Sequence, residues 1–67
     1  MSVHELARYY LSRRQTVRAA GLMLKVIETE PTPENLTLLA EIYMQQGLFD
    51  HAKALYLRVV MMGLNSR

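Results

Sequence analysis

The stretch LAEIYMQQGLFDHAKALY, Leu39 to Tyr56, decides the fold. Leu36, Leu39, Ala40 and Tyr43 sit at i, i+3, i+4 and i+7, which is the spacing of one helix face. Gly47 then interrupts, because glycine takes the left-handed C-cap conformation cheaply. Helical spacing resumes with Ala52, Leu55, Tyr56 and Val59. The same order of small and large residues occurs 33 positions upstream. Leu6-Ala7 falls on Leu39-Ala40, Tyr10 on Tyr43, Ala19 on Ala52, Met23 on Tyr56 and Val26 on Val59. Small residues recur where two helices must approach closely, and large ones where the gap widens.

Working outward, the start and stop signals divide the chain into four helices. Ser2 and Glu5 form the S-x-x-E arrangement of a capping box, so the first helix is expected to begin at Val3. Val3, Leu6, Ala7, Tyr10 and Leu11 supply its apolar face. The second helix carries Ala19, Leu22, Met23, Val26 and Ile27, with Thr16 as expected N-cap. It must end near Thr29, since Pro31 turns Glu30 away from helical angles. Thr32, Pro33 and Glu34 give the third helix a cap, a proline at its first position and an acid in its first turn. Gly63 is the expected C-cap of the fourth. No segment alternates with period two, so no strand is expected. The short connections force antiparallel neighbours. The expected fold is all-α, with two antiparallel helix hairpins in a single domain over 1–67, repeat one spanning about 2–31 and repeat two about 33–64.

The period and these residues resemble the tetratricopeptide repeat (TPR), a helix–turn–helix unit of about 34 residues. In the second half Leu36, Leu39, Ala40, Tyr43, Gly47, Ala52 and Tyr56 hold signature places of that family. In the first half Leu6, Ala7, Tyr10, Ala19 and Pro31 fit, while Arg14 stands where the turn glycine is usual. The resemblance implies a short α-solenoid that acts as a scaffold or adaptor for other proteins. It implies a concave groove lined by the first helix of each repeat. Carried over by position, that groove comprises His4, Glu5, Arg8, Leu11 and Ser12, with Thr37, Leu38, Glu41, Met44 and Gln45. Apolar Leu11, Leu38 and Met44 lie there between opposite charges, which suits an amphipathic partner segment better than a purely acidic tail. The subclass that clamps a C-terminal carboxylate needs Lys, Asn and Arg at fixed groove positions. Arg8 stands where that clamp needs Asn, and Glu41 is acidic where a neutral or basic group is needed, so that subclass is not expected. A cytosolic chaperone for a secretion or pilus subunit is a narrower alternative within protein binding.

Two repeats are few, because solenoids gain stability from about three and cap their ends with polar faces. The last helix carries a second apolar stripe, Leu57, Val60, Met61 and Leu64. An apolar stripe outside the hairpin core marks an interface. Self-association through it is expected, as a dimer or by domain swapping, with a hetero-complex as the other outcome. Met44, Met61 and Met62 add a surface that adapts to more than one partner.

Composition narrows the rest. There is no cysteine among the 67 residues, so disulfides and thiolate metal sites are excluded, and two separated histidines point to no zinc site. No metal or cofactor is expected. Arg8, Arg13, Arg14, Arg18 and Lys25 against Glu5 give residues 1–25 a charge of +4, whereas residues 26–67 carry −2. Such polarity steers an acidic partner. The Arg8-Tyr9-Tyr10 and Arg13-Arg14 patch, with Arg18, allows weak nucleic-acid binding as an alternative of another class, with Tyr9 as the free stacking side chain. Enzymatic activity is not expected. His4-Glu5 lacks a second histidine at position 8, and Asp50-His51 point about 100° apart on a helix. The N-terminus has no signal-peptide pattern, and no apolar run approaches a membrane span, so a soluble cytoplasmic protein is expected. Met1 followed by a capping box suggests a natural start.

Overall fold

A computed structural model describes residues 1–65; Ser66 and Arg67, the last residues of the expected domain, lie outside the described part. Four helices follow in order: α1 Val3–Ser12, α2 Thr16–Thr29, α3 Pro33–Gln45 and α4 Phe49–Asn65. Among the described residues there is no strand. Each connection is three residues long, and each helix packs on the next: α1 on α2, α2 on α3, α3 on α4. The fold is all-α, two antiparallel hairpins laid side by side.

The helix starts are built as the sequence requires, with one exception. The Ser2 hydroxyl accepts from the Glu5 N–H at 3.1 Å, and the Ser2 N–H donates to Glu5 Oε1 at 3.1 Å. Those hydrogen bonds hold the Glu5 carboxyl below its ordinary value of 4.5, the backbone N–H of Ser2 contributing most. Thr32 accepts from the Asn35 N–H at 3.1 Å and Pro33 opens α3. The Asn35 side chain also donates to the Glu30 carbonyl at 2.9 Å, which ties the end of α2 to the start of α3. The exception is α2. Thr16 is its first helical residue, and the N-cap is Gln15, which makes no side-chain capping bond. The bend after α1 uses one residue fewer than the expected cap allows.

The two hairpin turns are the same turn, 33 residues apart. The Gln15 N–H reaches back to the Tyr10 carbonyl at 2.9 Å, and the Leu48 N–H to that of Tyr43 at 2.9 Å. Arg14 bonds Leu11 at 3.0 Å as Gly47 bonds Met44 at 3.1 Å. This is the six-to-one closure of a Schellman motif, and it needs a left-handed residue. Gly47 supplies it at φ 76°, and Arg14 supplies it at φ 60°. An L-residue there is strained by about 1 kcal/mol. The glycine missing from the first half is therefore replaced in geometry, at the cost of backbone strain.

The end of α4 departs from expectation. Gly63 lies inside the helix, which continues to Asn65. Pro31 breaks α2 at the equivalent place, but Leu64 stands there in α4 and nothing in its backbone opposes continuation.

The core is made of Ala7 and Leu11, then Ala19, Ala20 and Met23, then Leu36, Leu38, Leu39, Ala40 and Ile42, then Ala52 and Leu55. Ala7, Ala19, Ala40 and Ala52, the small members of the repeat, are all fully buried. Tyr10, Tyr43, Val26 and Val59 pack half-buried around them.

Two outcomes follow. Arg14→Gly relieves the strained turn and raises stability by about 0.5–1 kcal/mol, read as a rise of several degrees in the thermal midpoint. Gly47→Ala, whose added methyl meets nothing within 4 Å, lowers it by about 1 kcal/mol through the backbone alone. For Glu5, the folded carboxyl titrates lower than the free group. Its contribution is therefore present above 4.5 and is lost as pH falls through the lowered folded value. An NMR titration of Glu5 shows a midpoint under 4.5 that moves upward in Ser2→Ala.

Candidate functional site

Two surfaces of different chemistry face outward. The first runs between α1 and α3. Arg8 and Glu41 occupy the same position in the two hairpins, and Arg8 Nη1 donates to Glu41 Oε2 at 3.4 Å. Both side chains are substantially exposed, so the pair adds little stability but fixes the sign of charge on each wall. A shallow depression beside it is lined by His4, Arg8, Pro33, Glu34 and Thr37. A second is lined by Leu11, Ser12, Arg14 and Gln45. His4 Nε2 is shielded from solvent yet has no hydrogen-bond partner in the chain.

Of the residues expected in this groove, His4, Arg8 and Thr37 line the first depression, Ser12 and Gln45 line the second with largely buried Leu11, and Glu41 is paired with Arg8. Glu5 is exposed and turned to its bonds with Ser2. Leu38 is corrected: it has no exposed surface and belongs to the core. The reason is that α3 lies between α2 and α4, so its buried arc is wide and takes in Leu36, Leu38, Leu39, Ala40 and Ile42 together. Met44 is also reassigned, because it points to the second surface.

That surface is built on α4. Leu57, Val60, Met61 and Leu64, the expected stripe, are each more than half exposed. Val60 and Leu57 join Met44, Phe49, Lys53 and Tyr56 around an apolar depression between α3 and α4. On the other side, Leu57 and Met61 border a second hollow with Pro31, Ala54, Arg58, Met62 and Asn65. The sequence groups Met44 with Met61 and Met62 by residue type, whereas Phe49 was not legible as a member of this face. Met44 and Phe49 lie on different helices, and only the Gly47 turn brings them to one depression.

The basic patch at the first turn is ordered by aromatic rings. The Arg13 guanidinium lies 5.9 Å from the centroid of Tyr9, and that of Arg18 lies 5.8 Å from that of Tyr10. Tyr9 thus has one face occupied by Arg13 and remains half exposed. His51 stacks edge-on against Tyr43 at 5.5 Å. Among the described residues no three His, Asp or Glu side chains converge as metal ligands would, and no helix is long and apolar enough to cross a membrane.

Compared with protein-family models, curated proteins and solved structures, the chain finds no match in any of the three.

A double-mutant cycle with Arg8→Ala and Glu41→Ala measures how firmly the groove is bridged. The coupling by chemical denaturation is under about 0.5 kcal/mol, as for exposed pairs generally, and it shrinks further in high salt.

Proposed function

We propose that this chain is a non-catalytic protein-interaction module of the tetratricopeptide kind. It holds a partner segment along the α1–α3 groove and associates through the outer face of α4. What carries the reading is that face. Four large apolar side chains stand more than half exposed at helical spacing, and they continue across Met44 and Phe49. Apolar patches of this breadth on a small domain mark contact with another polypeptide. The repeated turn supports the family assignment, since the backbone bonds around Arg14 and Gly47 coincide at a spacing of 33 residues. The groove supplies Arg8 and Glu41 as opposite charges either side of its floor, which suits a segment that is itself mixed in charge. With no other occupant present, the α4 face self-associates. The module is taken to work in the cytoplasm.

Light scattering over a dilution series tests the reading. The purified chain shows a mass above the 7.7 kDa of one copy at high concentration, falling on dilution. Val60→Glu with Met61→Glu stays at one copy throughout, with unchanged helical circular dichroism because both positions are exposed. Identical behaviour of wild type and variant would remove the α4 face from the reading.

A further inference from the structure

The place where α3 lies over the first hairpin recurs on the second hairpin, and there it is open. Residues 33 apart have matching surroundings within their own hairpins, so a difference in exposure between them reports what lies over the hairpin. Leu11 is 8% exposed and its equivalent Met44 45%; Met23 is 0% exposed and its equivalent Tyr56 39%. Half-buried Ile27 corresponds to exposed Val60, and buried Ala20 to exposed Lys53. The covering element on the first hairpin is α3, the helix that packs on α2. Met44, Lys53, Tyr56 and Val60 therefore line a helix-sized slot.

We propose that an amphipathic helix of another protein, acidic where it meets Lys53, seats in this slot as α3 seats on the first hairpin. The proposal rests on the interaction-module reading and names the chemistry of its partner. Met44, Tyr56 and Val60, with Phe49 beside them, offer on the order of 400 Å² of exposed side chain, taking about 200 Å² for a large side chain in full. That is about half of the roughly 800 Å² per partner of a stable specific interface, the scale of a transient contact. Lys53 is the charge within the slot, and past Asp50 α4 carries no carboxylate that could answer it.

A second copy fits less well. Its α1 would present Glu5 where α3 presents fully buried Leu38, and Tyr9 where α3 presents Ile42. Glu5 is already held by Ser2, and enclosing its carboxylate among apolar groups is costly. Its α4 would bring a second Lys53 and no counter-charge. These contacts allow the weak self-association described above and leave the slot open to a better occupant.

The position opposite Lys53 can be read from the first hairpin. Ala20, its equivalent, lies nine residues before the end of α2 at Thr29, and Ile42 lies nine residues after the start of α3 at Pro33. Antiparallel helices with equal rise place the two level. The probes are two fluorescein-labelled synthetic peptides, one with the sequence of residues 33–46 and one carrying Ile42→Glu. Binding to the whole chain is followed by fluorescence anisotropy. The Ile42→Glu peptide binds about fivefold more tightly than the parent, and Lys53→Glu in the protein reverses that order, as charge complementarity demands. Val60→Glu weakens both peptides about tenfold or more while circular dichroism is unchanged. The proposal is overturned by absence of binding, by a peptide order indifferent to Lys53, or by binding that survives Val60→Glu, which would mean exchange with α3 on the first hairpin. A wild-type dimer that resists dilution and is split by Val60→Glu also overturns it, since a second copy then owns the slot. In that case the interaction-module reading stands and only the partner assigned here falls.

Discussion

Four alanines set the distances on which everything else depends. Ala7, Ala19, Ala40 and Ala52 have no exposed surface, and each of the four helices contributes one of them to the core. A methyl group is the largest side chain that lets backbones approach so closely in a core packed to crystal-like density. The bulkier Tyr10 and Tyr43, three residues after Ala7 and Ala40, pack half-buried against that core. The short three-residue connections follow from the same closeness, since distant helices would need longer ones.

Repetition then generates both surfaces from one plan. Arg8 and Glu41 are one position used twice, and they meet because the two hairpins lie side by side in the same orientation. The face of α4 is the face of α2 used again, with apolar Leu57 and Val60 kept from Leu24 and Ile27 and with Met61 in place of Glu28. What distinguishes a buried position on α2 from its exposed equivalent on α4 is the presence of a neighbouring helix, not the plan of the helix.

Much of this was legible in the chain. Ser2 with Glu5, Thr32 with Pro33, and Gly47 each act through bonds within a few residues, and each forms as its local chemistry dictates. The exposed stripe on α4 was legible for a similar reason, as it needs only one helix. The misses have two sources, competing turn bonds near the helix ends and burial by distant helices. Thr16 yields the cap position to Gln15, whose N–H closes the turn on the Tyr10 carbonyl at the end of α1. Gly63 is carried through the helix because no proline follows it. Leu38 looks like groove lining until α3 is placed between two neighbours, and Met44 belongs to α4's surface only once the hairpin is folded. In the absence of any matching family model or relative, the repeat is known from internal comparison alone.

The strained turn at Arg14 makes the two walls of the groove mechanically unequal. Gly47 holds its left-handed angle without penalty, so the α3–α4 hairpin is at rest in its closed form. Arg14 holds the same angle against a steric load, and α2 behind it begins without a side-chain cap. Any outward swing of α1 that lets Arg14 relax recovers part of that load, and Arg8 is tied to Glu41 by only an exposed pair. The groove thus has a stiff wall, α3, locked between two helices, and a compliant wall, α1, which packs chiefly on one. For a segment held there as proposed, variation in its width is taken up by movement of α1, while the register set by α3 is preserved.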